Sequence, residues 1–248
     1  MPYNNTSRFL IAQKYFCDSR LTIDERRDLI LKNLLFLQNI FIKIDKQPKS
    51  LTSAREVCFF ETKGNNDDVY RFYFQIAYNR TFTEGFIETT ICHIKNEQRN
   101  IICRSSMCLF ENHWLITSVQ GNKHYAYEEH IKFLTKNCYM QPHFLLIELQ
   151  KIFTRLFKCD KTLGILNEFQ ASNEQHRQEN DTRYIKDYDA FFKECKAEYI
   201  TIGKKTYFNL LHTHKDLNDY PSKKRSFYRK RFNLLEMIEN SVKNIFVV

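Results

Sequence analysis

The residue types best suited to chemistry fall in three places. Glu84-Gly85 opens an apolar, alternating stretch, and Gln120-Gly121 closes another, LITSVQG, just ahead of a segment with helical spacing. His176 sits in the polar run QASNEQHRQENDTR, Gln170 to Arg183, with Glu174, Glu179 and Asp181 around it. A carboxylate at Glu84 would take a proton from an attacking nucleophile, or would serve only as a turn residue. A glycine turn between a strand and a helix N-terminus turns backbone N–H groups toward a phosphate, so Gln120-Gly121 is a candidate for holding an acyl donor. It reads equally as a turn in which glycine supplies positive φ. His176, steadied by a neighbouring carboxylate, would carry protons near neutral pH, and otherwise it is a solvated loop histidine.

A fourth candidate is charge rather than catalysis. YPSKKRSFYRKRF, Tyr220 to Phe232, places six cations in the nine residues Lys223 to Arg231. At about 100° per residue, Tyr228, Phe232, Leu235, Ile238, Val242 and Ile245 share one arc of a helix, its expected core face. Lys223, Arg225, Arg229 and Lys230 fall outside that arc, whereas Lys224 and Arg231 project into it. An exposed cation run is ordinarily a solvated face, but a guanidinium turned toward a core needs a carboxylate or a bound anion. Asp187, Asp189 or a ligand phosphate would serve Arg231, and Arg225, Arg229 and Arg231 form the candidate anion-binding cluster. Asp187 and Asp189, either side of Tyr188, are alternatively helix caps.

Composition narrows the partners. The chain has 248 residues, 43% of them hydrophobic, and a formal charge of +9. That is enough for one large core, and it favours an anionic ligand, a lipid surface or an acidic protein. Nucleic acid is disfavoured, because no helix-turn-helix, zinc or RNA-binding signature accompanies the charge. The eight cysteines are dispersed without a CxxC, which suits reduced thiols in a cytoplasm. Cys92-His93 with Cys103 and Cys108 lacks zinc-ligand spacing, so no metal is expected. MPYNNTSRFLIAQKYF has no signal-peptide form, and no apolar run reaches the roughly 20 residues of a membrane helix. The expected location is cytoplasmic, including the inner face of the inner membrane.

The elements that must position these residues read as α+β. Apolar residues at three and four spacing from Leu29 to Phe41, after a Thr22–Glu25 capping box, predict an N-terminal helix, taken as an extension over residues 1–50. The remainder, 51–248, reads as one α+β domain. Lys46 to Ser53 reads as a connection and Gly64 to Asp68 as a turn, with strands expected only beyond it. Period-two runs at Val69–Tyr78, Gly85–Ile94, Ile101–Phe110 and Trp114–Val119 predict an antiparallel meander. Helices are expected at Tyr127–Cys138, His143–Phe157 and Tyr184–Glu194, a strand at Leu163–Phe169, a hairpin at Tyr199–Leu211 and a closing helix at Phe227–Ile245.

The segments TEGF (Thr83 to Phe86), VQGN (Val119 to Asn122), YDAFF (Tyr188 to Phe192) and PSKKRSFYRKRFNLLEMIE, in this order over roughly residues 55 to 240, resemble the VirK/YbjX family of Gram-negative bacterial proteins. That resemblance implies an association with the cell envelope, virulence and resistance to antimicrobial peptides, and supplies no catalytic residues. Meander, turn, helix and strand also look like an acetyltransferase-like outline. Counting from Gln120, that superfamily has glycine at plus three and glycine or alanine at plus five, where Lys123 and Tyr125 stand here. The departure counts against coenzyme A itself and leaves an acyl-protein donor or a modified pocket. The expected function is envelope modification by acyl transfer, with His176 or Glu84 as base. The alternative is a non-enzymatic protein that docks on anionic lipid or an acidic partner through its C-terminal basic helix.

Overall fold

The computed structural model describes residues 15–44, 56–64, 68–77, 84–121, 127–171, 185, 187–213 and 216–246. Helix α1 (Ile23–Lys43) starts at Thr22, whose side chain accepts from the Glu25 backbone while Glu25 reaches back, the expected capping box. Its inner stripe of Leu29, Ile30, Leu37, Ile40 and Phe41 joins the same continuous core as the rest of the chain. Asn33 fixes its height, since its side chain accepts from the Leu109 N–H at 2.7 Å and donates to the Leu109 carbonyl at 3.0 Å.

The sheet has eight strands: β1 (Glu56–Lys63), β2 (Val69–Ile76), β3 (Ile87–Lys95), β4 (Gln98–Phe110), β5 (His113–Gly121), β6 (Thr162–Gly164), β7 (Glu198–Ile202) and β8 (Lys205–Leu210). Their order is β1-β2-β3-β4-β5-β6-β8-β7, antiparallel except where β6 runs parallel to β5. The expected meander is present, but it begins one strand earlier. Glu56–Lys63 was not foreseen as a strand, because the bulge between Cys58 and Phe60 breaks its period-two alternation. The expected strand over Leu163–Phe169 is also shorter: pairing ends at Gly164 and a 3₁₀ turn takes Asn167–Phe169. In the β7–β8 hairpin Gly203 has φ +59°, the left-handed value such a turn favours in glycine.

Helices α2 (Tyr127–Cys138) and α3 (Pro142–Leu156), the short α4 (Tyr188–Glu194), a 3₁₀ turn at Leu217–Asp219 and the long α5 (Ser222–Phe246) follow among the described residues. α5 starts five residues before the expected Phe227, so the whole cation run lies within it. Alternate residues of the strands show which sheet face these helices cover. Phe74 of β2 and Trp114 of β5 pack on Phe153 of α3, and Gln150 of α3 accepts from the Trp114 indole at 3.0 Å and donates to Ser105 at 2.8 Å. Ser106, the next residue, therefore points to the opposite face. No described helix is long and apolar enough to cross a membrane.

Candidate functional site

On the helix-covered side, α3, the end of α4, the chain after β8 and α5 enclose a cleft of about 800 Å³. Its apolar wall is Met140, Phe144, Ile147, Leu211 and Phe232, and its polar groups include Lys151, Glu148, Lys196 and Arg231. α5 makes this cleft by carrying two different inner faces. From Leu235 onward the inner arc is Leu235, Ile238, Val242 and Phe246, all buried. Over the first turns the same arc carries Lys224, Phe227, Tyr228 and Arg231, and no equivalent layer covers it: Phe227 is 46% exposed.

The cations of this run differ in what holds them. Arg225 donates from Nε to the Tyr220 carbonyl at 2.9 Å and from Nη2 to the Asn218 carbonyl at 3.0 Å, which pins the preceding turn against α5. Lys223, Lys224, Arg229 and Lys230 are exposed. Arg231 is half-buried in the cleft wall, and among the described residues it has neither a hydrogen bond nor an ion pair. Beside it the Tyr220 and Tyr228 rings stack at 3.6 Å. The Tyr220 hydroxyl is pushed up by burial and by Tyr228, and Arg231 opposes that shift.

Sequence reasoning missed Lys151. It is 5% exposed on α3, with its Nζ 3.0 Å from Glu148, and no helical-phase rule announces a buried lysine. Cys195, on the same wall, is pushed up to about 12 by burial, so it stays a thiol. A neighbouring cavity of about 690 Å³ shares Glu148 and Phe232 and contains the Arg155–Glu239–Lys243 cluster.

The other sheet face is buried and polar. Glu84, 3% exposed, accepts from Ser118 Oγ, from Gln120 Nε2 and, at 3.5 Å, from Ser106. Gly85 beside it is required by close approach, because a Cβ there would stand 2.6 Å from the Met107 carbonyl oxygen of β4. The polar ladder continues through Glu88, which accepts from Gln75 at 2.8 Å and lies 3.5 Å from Arg104. Arg99 follows, donating to Gln75 at 2.9 Å and to Glu56 while its guanidinium lies over Tyr73.

The structure thus brings Glu84 and Gln120 into direct contact and sets both on the sheet face opposite Arg231. Gly121 ends β5 opposite Cys103. Asp187 is the N-cap of α4, accepting from the Ala190 N–H at 2.9 Å, and Asp189 accepts from the Asn167 N–H at 2.8 Å. Neither is paired with Arg231. His176 and Lys123 lie outside the described residues. Among the described residues no cluster of three or more His, Cys, Asp or Glu could hold a metal ion.

A further constellation, spread over three elements and so invisible to local spacing, ties the first turns of α2 to the sheet. His130 Nδ1 lies 2.9 Å from the Tyr70 hydroxyl, the His93 and His130 ring centroids are 4.2 Å apart, and Asp68 stands 3.3 Å from both His93 Nε2 and Lys95 Nζ.

Comparison with known proteins gives kinship without an activity. Two uncharacterized proteins of Haemophilus influenzae are each 28% identical to this chain. One alignment spans 224 residues, 89% of the chain and 70% of the relative; the other spans 240 residues, 93% and 74%. No solved structure matches. Residues 5–244 match the family described as protein of unknown function (DUF535), and the chain belongs to that family.

Proposed function

We propose that this chain binds an anionic amphiphile, a ligand with an apolar chain and a phosphate-like or sulfonate-like head, in the cleft between α3, α4 and α5. One observation carries the reading: Arg231 is half-buried among aromatic rings and forms no ion pair among the described residues, although Glu148 and Glu194 line the same cleft. A guanidinium withdrawn from water in this way is stabilised by an anion. The adjoining wall of Met140, Phe144, Ile147 and Phe232 suits an acyl chain. The exposed Lys223, Lys224 and Lys230 suit an anionic lipid surface as its source, and the resemblance to VirK/YbjX proteins points the same way, toward the cell envelope.

Mass spectrometry of the natively purified protein is expected to find a retained anionic lipid or acyl compound. Decanesulfonate should raise the melting temperature of the wild type and not of Arg231→Gln. Equal shifts in both proteins would remove the reading.

Acyl transfer is the second reading, favoured by Glu84 lying against Ser118 and Gln120 at the end of β5. In that reading Glu84 takes the proton of an acceptor nucleophile as it attacks the acyl carbon and the thiolate of the donor leaves. β6 parallel to β5, after two helices, supports an acetyltransferase-like outline. Loss of acyl transfer from a labelled thioester in Glu84→Gln, with the fold intact, is the expected result. Unchanged transfer would exclude Glu84 as the base.

A further inference from the structure

α2 links two places the sequence keeps apart. Its second turn carries His130, bonded to Tyr70 of β2 and in ring contact with His93 of β3. Its far end leads into Tyr139, whose ring meets Phe227 of α5 edge-on at 5.6 Å, and into Met140 and Gln141, which wall the cleft. The 12 residues of α2 span about 18 Å.

We propose that His130, His93 and Tyr70 form a proton-operated latch on α2, released by mild acid, and that release weakens ligand retention in the cleft at the other end of the helix. The second half of this proposal rests on the amphiphile reading; the latch does not.

The chemistry follows from who faces whom. Tyr70 is 2% exposed, and its hydroxyl is pushed up to about 12 by burial and by Asp68, so it remains a donor and His130 Nδ1 accepts. A protonated His130 has no acceptor nitrogen to offer, and Tyr70 must then find another acceptor within a buried site. Around His130 stand Asp68 just before β2, Tyr70 from β2, His93 and Lys95 from β3, and Glu129 from α2 itself. Burial is the largest effect on the imidazole and His93 adds to it, and together they outweigh Asp68 and Glu129 and lower its proton affinity. A group whose folded pKa is lowered in this way favours the folded state fully above its unfolded value, about 6.5, and less as pH falls below it. Loosening on acidification is therefore the predicted direction. Leu134 and Cys138, both buried, keep the rest of α2 seated, so the latch frees one end of the helix without unfolding the protein.

The test uses His130→Asn, an amide that still bonds Tyr70 but does not titrate, and decanesulfonate, whose charge is constant from pH 5 to 8. The wild-type melting temperature should fall between pH 7.5 and 5.5, and His130→Asn should lose much of that fall. An equal fall in both proteins overturns the latch. Decanesulfonate should bind the wild type about fivefold more weakly at pH 5.5 than at 7.5, a coupling at the low end of the usual range, and bind His130→Asn equally at both. Equal wild-type affinity at the two values overturns the coupling but leaves the cleft reading standing. No binding at pH 7.5 removes the cleft reading and the coupling with it, while the melting comparison still decides the latch. Should His130→Asn not fold, histidine and tyrosine ring signals of the wild type decide by NMR. A common midpoint below 6.5 for His130 and Tyr70 supports the latch, and separate midpoints overturn it.

Discussion

The two halves of α5 are the same helix in the same phase, yet their inner faces have opposite chemistry. From Leu235 to Phe246 the face is apolar and seated in the core, and its flank is tied by Arg155 to Glu239 and by Ser241 to the Phe59 carbonyl. From Lys224 to Arg231 the same face carries cations and rings, of which Tyr228 and Arg231 line the cleft while Lys224 and Phe227 are exposed. A helix needs only one such half to hold its place. The second half is then free to hold groups that would destabilise a core, and Arg231, which forms no ion pair among the described residues, is such a group.

Substitutions can break that comparison in graded steps. The largest loss is expected in the seated half. Ile238 is fully buried, so Ile238→Ala should lower unfolding free energy by about 2–5 kcal/mol in urea titrations. A loss under about 1 kcal/mol would mean that α5 is not anchored there.

Arg231→Gln should change the unliganded stability little and abolish the gain from an anion. For a ligand at 100 times its Kd that gain is about 2.7 kcal/mol in the wild type. A large loss of stability without ligand would instead assign Arg231 to the fold.

Glu239 sharpens the contrast from the seated side. Its burial would raise its pKa, but Arg155 and Lys243 outweigh that and hold it below the ordinary glutamate value. Its folded pKa being depressed, its contribution is present above about pH 4.3 and is lost as pH falls through the lower folded value. Arg155 is 40% and Lys243 53% exposed, so solvent screens the pair and Glu239→Gln should cost under about 1 kcal/mol at pH 7. It should also flatten the acid limb of the stability curve.

What was legible beforehand divides along physical lines. The Thr22–Glu25 box, the period-two strands and the phase of α5 are local signals, and the structure follows them. Alternation also separated Gln75 from Phe74, but it could not tell that the polar face is buried, since Gln75, Glu88, Ser106 and Gln120 look the same whether wet or covered. The Glu84–Gln120 contact joins residues 36 apart and the Tyr70–His130 bond joins residues 60 apart. Such meetings depend on strand register, which in turn depends on bulges such as those at Ile91/Cys92 and Ser106/Met107. Individually, Glu84 and Gln120 were legible as candidates. That they share one site, and that the sheet separates them from Arg231, was not.

The smallest effect is the most discriminating. Lys230 adjoins Arg231 in sequence and carries the same charge, but it lies about 100° round the helix and is exposed. If charge density alone made this run bind anions, the two positions would be interchangeable, and each substitution to glutamine would weaken binding equally and in proportion to screening. If the inner face is the binding element, Lys230→Gln should stay within about 0.5 kcal/mol of wild type in stability. It should also retain the full decanesulfonate shift at moderate salt, where Arg231→Gln has none. Equal loss in the two variants would make the first half of α5 a solvated basic face, and the difference between its halves would reduce to exposure alone.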